Sequence, residues 1–304
     1  MSYKKNKDGF QEYYHEDQKG TRKKIQEDRI RGQYKRGKFP PEFFENIEKK
    51  LTPGLRGYWA FYIDGDGCVH SRNGGLSVML GSSDLEPVQY LADLYGTSIV
   101  CKKFSKRKWR PHYTTALHGE RALHFLHLIC PYMTEKRRKV TQLINIFDPN
   151  YHPPKIPMNF RQNPDLLNPH MGMIAGLFDS EGSVGMRIQE TKSKTKTGEK
   201  RTSYSISSWI SFHNTNVYLL RKIKKILESS PFTFKPVLHK CNRKKRICKQ
   251  EYQLKIPTRQ HLLFMKMFSH LILITRKREY TEKFERKEQV YKICTGALHT
   301  GLYE

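Results

Sequence analysis

WAFYIDGDG (Trp59–Gly67) and IAGLFDSEG (Ile174–Gly182) are two versions of one segment. Each is an apolar run about two helical turns long that ends in Asp, a small residue, an acid and Gly. In register, Asp64 falls with Asp179 and Asp66 with Glu181. A single Asp-Gly-Asp-Gly is usually a turn or a helix stop. An EF-hand loop is excluded, because the fifth and sixth positions counted from Asp64 are Cys68 and Val69, and that loop needs Gly at the sixth.

The surroundings repeat as well. After the first copy, CVHSRNGGLSVML reads as a hairpin around Asn73-Gly74-Gly75. DLEPVQYLADLY follows, with Leu85, Val88, Leu91, Ala92 and Tyr95 at helical spacing and Gly96 as a stop. SIVCKKF and HYTTALH form a second hairpin, and helices over 120–129 and 132–147 finish the half. After the second copy come the strands GSVGMRIQE and SYSISSWISFH around a long basic loop, KSKTKTGEKR, then the helix NVYLLRKIKKILES. FTFKPVLHK and ICKQEYQLKI are strands around CNRKKR, and helices near 258–268 and 270–290 close the half. The expected organisation is a basic arm and short helix over 1–50, a first half over 51–150, a Pro/Asn-rich linker over 151–169 and a second half over 170–304. The short helix, PEFFENIEKKL, is expected to end at Pro53-Gly54, and 1–38 to be an arm without regular structure of its own. The fold class is α+β.

With 56 Lys+Arg against 29 Asp+Glu, the chain carries a formal charge of +27 over 304 residues, so a polyanion is the expected partner. Apolar stretches near ten residues are too short to span a bilayer. The six cysteines show no CxxC pair, so the spacing indicates neither a zinc site nor a disulfide framework. Bare carboxylates repel a polyanion; divalent metal ions turn such carboxylates into a phosphate-binding site. Ala175 and Gly176 let a helix approach a neighbour closely. If the two apolar segments pack on each other, their ends bring Asp66 and Glu181 side by side, with Gly67 and Gly182 closing the helices. Two carboxylates at the carbonyl ends of two helices call for cations, and Mg²⁺ suits oxygen ligands.

These residues resemble the double-motif LAGLIDADG homing endonucleases, over roughly residues 55–290. The resemblance implies two pseudo-symmetric αββαββα halves, each with a saddle-shaped antiparallel sheet, packed through the motif helices. It implies a monomeric, site-specific double-strand DNA endonuclease with Asp66 and Glu181 as metal ligands and Asp64 and Asp179 as structural acids. It also places Asp84 and Asn216 as solvent-ordering groups, and Lys136 and Lys277 as basic residues near the reacting phosphate. Mg²⁺ is the expected cofactor, with Mn²⁺ substituting and Ca²⁺ binding without turnover. Phe61 stands where the family usually has Gly, and Trp59 where it has an aliphatic residue. Phe61 is therefore expected either to seat against Gly176 or to displace the first helix.

Phosphate contacts are expected from the basic loops Lys102–Arg110, Lys192–Arg201 and Lys240–Lys249, namely Lys106, Arg107, Lys108, Arg110, Lys192, Lys194, Lys196, Arg243, Lys244 and Lys245. Base readout is expected from alternate strand positions: His70, Arg72 and Ser77 in the first half, and Arg187, Gln189, Ser205, Ser207 and His239 in the second. The expected partner is double-stranded DNA with a long asymmetric target, with no membrane and no obligate protein partner. The same scaffold also serves as an RNA-binding group I intron maturase, and a non-cleaving sequence-specific DNA-binding protein is a third reading. The resemblance further implies an intron-encoded protein made inside an organelle, chloroplast or mitochondrion.

Overall fold

The structure, a computed structural model, describes residues 2–5, 11–14, 39–72, 75–102, 110–154, 156, 167–194, 200–230, 234–241 and 250–299. Contacts divide the chain into two compact units, Met1–Ser180 and Glu181–Glu304. The first unit therefore holds both motif helices except the last residue of the second.

Two strands, β1 (Ser2–Lys5) and β2 (Gln11–Tyr14), lie in the segment expected to be an unstructured arm. They pair with each other, and β2 adds antiparallel to the first half's sheet through Gln11↔Cys101 and Glu12↔Val100. A free sheet edge offers unpaired backbone groups, and this segment takes up those groups. Helix α1 (Pro41–Lys50) follows, with Pro41 at its first position.

Pro53-Gly54 does not merely end α1; it begins α2, the first motif helix (Pro53–Gly65). Thr52 caps it by accepting from Leu55 N at 3.4 Å, and Pro53 occupies the first turn, where a missing N–H costs nothing. Every residue from Gly57 to Asp64 is buried, which explains an apolar run without a polar face. The sheet continues through β3 (Cys68–Arg72), β4 (Gly75–Ser82), β5 (Val100–Lys102) and β6 (His112–His118), in the order β1-β2-β5-β6-β4-β3. Helix α3 (Leu85–Tyr95) stops at Gly96, whose φ of 61° is left-handed. Leu76, Val78 and Leu80 alternate into the core, leaving Ser77 and Met79 on the other face. Helix α4 (Glu120–Ile129) matches its expectation, but the expected 132–147 helix is a 3-10 turn (Cys130–Tyr132) followed by α5 (Arg137–Ile144).

The second motif helix, α6 (Leu167–Glu181), leads directly into β7 (Gly182–Lys194). β7 and β8 (Lys200–Asn214) form one long ladder from Gly182↔Phe212 to Lys194↔Lys200. The ladder runs well into the stretch expected to be a basic loop, so Lys192 and Lys194 are strand residues. Helix α7 (Val217–Ser229), β9 (Val237–Lys240) and β10 (Tyr252–Lys255) complete a sheet of order β7-β8-β10-β9. Ile210, Phe212 and Leu254 face a core shared with Leu219, Ile223, Phe264 and Phe284. The expected 258–268 helix is a 3-10 turn (Thr258–Gln260) and α8 (His261–Phe268). The expected 270–290 helix is a short α9 (Thr275–Arg278) and α10 (Tyr280–His299).

Candidate functional site

The two motif helices meet backbone to backbone. A Cβ on Gly57 would lie 2.9 Å from the Pro169 carbonyl carbon and 3.2 Å from Met173 N. One on Gly172 would lie 2.7 Å from the Gly54 carbonyl carbon and 2.9 Å from Tyr58 N. Gly57 and Gly172 are equivalent in the two motifs, and so are Gly54 and Pro169, and Tyr58 and Met173; the contact is a local pseudo-twofold. It breaks one turn further on. Gly176 lies against the Tyr58 carbonyl. In the first motif helix the close approach is made upstream of Phe61, at Gly54 and Gly57.

The first acid of each motif is buried. Asp64 is 2% exposed, and its oxygens accept from Thr134 N at 2.6 Å, Glu135 N at 3.2 Å and Lys136 N at 2.9 Å. Burial pushes its carboxyl up, while these three donors and the Lys136 ammonium pull against that shift. Asp179, 4% exposed, accepts from Tyr58 Oη at 2.7 Å. The Tyr58 hydroxyl is held well above its ordinary range by burial and by that neighbouring carboxylate.

Lys136 and Lys277 are equivalent again, and both turn toward backbone. Lys136 Nζ donates to the carbonyls of Ile63 at 2.6 Å, Asp64 at 2.9 Å, Gly65 at 3.4 Å and Gly67 at 2.7 Å. Those carbonyls lie at and just past the end of α2, the negative end of its dipole, and Ile63 O also accepts from Gly67 N at 3.1 Å. Burial pushes the Lys136 ammonium down, against the pull of Asp64. Lys277, itself buried, donates to Gly182 O at 2.9 Å, and Gly182 is the counterpart of Gly67. Both ammoniums thus bond carbonyls at the motif ends.

The second acids are less buried than the first. Asp66 is the C-cap of α2 and exposed; Glu181 is the last residue of α6, half-buried, and accepts from Asn214 Nδ2 at 3.2 Å. Asp84 is the N-cap residue of α3, and its N–H donates to Ser82 Oγ at 3.0 Å. Tyr62, between these groups, has its hydroxyl pushed up by burial and by the carboxylates of Asp66, Asp179 and Asp84. Asn216 caps α7: its Oδ1 accepts from Tyr218 N at 2.9 Å and Leu219 N at 3.4 Å. That oxygen therefore serves as a helix cap.

Register fixes which strand residues share the face away from the core. In the first sheet, His70, Ser77 and His118 form one cross-strand row, with Ser77 Oγ 2.8 Å from His118 Nδ1. Arg72, paired with Gly75, falls on the same alternation. In the second, Arg187↔Ser207 and Gln189↔Ser205 share a face with the row His213–Gln253–His239. Lys192 and Lys194 fall on the other alternation, and Lys192 pairs with Glu190 at 3.2 Å. Arg110 is exposed just before β6. Lys106, Arg107, Lys108, Lys196, Arg243, Lys244 and Lys245 lie outside the described residues. Tyr58, His118, His213 and Gln253 were not singled out from sequence. The signal for the last three lay in the period-2 alternation, but their pairing partners come only from register.

Two carboxylate-tipped helices packed through glycines, each followed by an antiparallel sheet, define a double-motif α+β scaffold. Residues 174–286, which include the second motif, match the sequence model of a family described as LAGLIDADG endonuclease, so that segment is similar to the family, as its motif led one to expect. No curated protein matches the chain. Among solved structures, the LAGLIDADG meganuclease I-AabMI bound to uncleaved DNA is similar at 12% identity and TM-score 0.51, over 79% of this chain and 92% of that one. I-SmaMI bound to uncleaveable DNA is similar at 11% identity and TM-score 0.48 (81% and 94%), and I-DmoI with DNA and Ca at 14% and 0.42 (76% and 98%). The I-AabMI likeness shows the shared fold.

Proposed function

We propose that the protein is a site-specific double-strand DNA endonuclease in which Asp66 and Glu181 hold divalent metal ions. One observation carries this reading: in both motifs the first acid is buried, while the second, exposed in Asp66 and half-buried in Glu181, stands at a helix's carbonyl end. A carboxylate at a helix's carbonyl end is unfavourable both with that dipole and beside a polyanion, and a hard cation reverses both terms. Carboxylate oxygens suit Mg²⁺, with Mn²⁺ as a substitute. When bound, such an ion supplies Lewis-acid polarisation of the scissile phosphate and offsets the charge that develops there.

The chain's own groups do the rest. Asp64 with Lys136, and Tyr58 with Asp179, fix the helix ends on which the outer acids stand. Asn214 orients Glu181 through its amide. His70, Ser77 and His118 in the first sheet, and Arg187, Gln189, Ser205, Ser207 and His239 in the second, offer donors and acceptors to base edges. The excess of basic residues supplies phosphate contacts without sequence information. Both motifs are in one chain, so a single copy can engage an asymmetric site.

The test is incubation with a duplex library of randomised sites in Mg²⁺ and in EDTA. Discrete double-strand breaks at one sequence class, dependent on Mg²⁺, are expected. Duplex binding with no cut at any site would overturn the endonuclease reading and direct the search to structured intron RNA.

A further inference from the structure

His213, Cys241 and Glu251 share no motif spacing, yet the second sheet's register gathers them. His213 pairs with Gln253 across β8 and β10, and Gln253 pairs with His239 across β10 and β9. One step beyond, Cys241 N donates to Glu251 O at 2.9 Å, so these two residues face each other across the next rung. One ligand atom from each of the three side chains lies within 4.8 Å of the others, and all three residues are half-buried. His213 Nδ1 is 3.3 Å from Glu251 Oε1. Phe212 and Leu254 point into the core, so alternation sends His213 and Glu251 to the opposite, open face.

We propose that His213, Cys241 and Glu251 bind a zinc-class transition-metal ion, at a site separate from the motif acids. Imidazole nitrogen, thiolate sulfur and carboxylate oxygen are the three donors Zn²⁺ accepts, and a thiolate in the set rejects Mg²⁺ and Ca²⁺. Bonds of about 2.0 to 2.3 Å place tetrahedral ligand atoms roughly 3.3 to 3.8 Å apart, so side-chain rotation alone closes the cluster. Three protein ligands leave the fourth position to water. On binding, the Cys241 thiol gives up its proton, and so does His213 Nδ1 where it bears one.

The imidazole is already held. His213 Nε2 lies 3.1 Å from Ser211 Oγ and 2.9 Å from the Gln253 amide, and Ser211 is 1% exposed. An Nε2–H donated to that buried hydroxyl leaves Nδ1 as the ligand atom, facing Glu251; half a turn of the Gln253 amide presents its oxygen to the same N–H. Cys241 and Glu251 also stand at the two ends of the basic stretch 242–249. A metal there ties β8, β9 and β10 together at the root of that stretch. It also neutralises Glu251, a carboxylate on a face that meets DNA; this last benefit rests on the endonuclease reading, whereas metal binding does not.

Titration of the full chain with Co²⁺ in excess Mg²⁺, without DNA, tests the site. One equivalent is expected, with a near-ultraviolet thiolate-to-Co²⁺ charge-transfer band that Zn²⁺ displaces. Cys241→Ser should abolish the band, and Glu251→Gln should weaken binding about 10- to 100-fold, with circular dichroism showing both variants folded. Asp66→Asn with Glu181→Gln should leave the titration unchanged, so failure here is separable from failure of the nuclease reading. No saturable binding in the wild type, or a band that persists in Cys241→Ser, would overturn the proposal.

Discussion

Gly172→Ala is the sharpest probe of the motif-helix contact. The added methyl would sit 2.7 Å from the Gly54 carbonyl carbon and 2.9 Å from Tyr58 N, and still nearer the Gly54 oxygen. Ordinary contact begins near ~3.4 Å in close-packed interiors, and the Gly54 oxygen is the nearest atom, so the helices must part by roughly 1.5 Å. The obstacle is backbone, which cannot rotate away as a side-chain tip can. Forced overpacking of this kind costs about 3 kcal/mol, the upper end for one added methyl. At roughly 2 to 4 °C per kcal/mol, the midpoint should fall by about 6 to 12 °C. Scanning calorimetry measures the fall, and cleavage of a selected target should drop with it, because the helix ends carry the outer acids. A Gly172→Ala protein that melts within about 1 °C of the wild type and cleaves normally would refute the backbone contact.

Lys136→Met should destabilise the fold by about 3 kcal/mol, since carbonyls at the end of α2 lose a charged donor. If the lysine instead contacted phosphate, urea melts would be unchanged and the salt slope of DNA binding would fall by about 1. Tyr58→Phe removes the donor at 2.7 Å from Asp179 and should cost about 2 kcal/mol by the same melts, while metal affinity at the motif acids stays constant. Burial holds His261 below its usual 6.5, with Nε2 2.9 Å from Ile256 O. The unfolded chain therefore takes up the proton first as pH falls. Stability should be complete above pH 6.5 and decline below it. His124 and His127 are shifted the same way by burial and add to the loss. His261→Gln should flatten the profile; an unchanged profile would remove His261 as its cause.

The order of elements was legible because hydrophobic periodicity and turn residues are local signals: Asn73-Gly74-Gly75, Gly96 and the alternation of Leu76, Val78 and Leu80 each act within a few residues. The motif acids were legible because they are duplicated. What failed was long-range. Pro53-Gly54 reads equally as the end of one helix and the start of the next, and only packing of Gly54 and Gly57 on α6 decides for the start. The arm's strands exist through pairing with Val100 and Cys101, which no local pattern announces. That the Lys136 and Lys277 ammoniums bond carbonyls at the motif ends is a matter of ångströms, which no local pattern carries. The metal-ligand trio escaped because His213, Cys241 and Glu251 meet only through strand register.

The division of labour between inner and outer acids is tested most directly by pairing two variants. Binding and cleavage of one selected duplex in Mg²⁺ should be measured for Asp66→Asn and for Asp64→Asn. Asp66→Asn should melt like the wild type, bind the duplex with wild-type affinity and fail to cut. Asp64→Asn should melt lower, because a buried carboxylate with three N–H donors has been replaced. An Asp66→Asn protein that still cuts, or one that loses stability and DNA binding together, would contradict the assignment of catalysis to the outer acids.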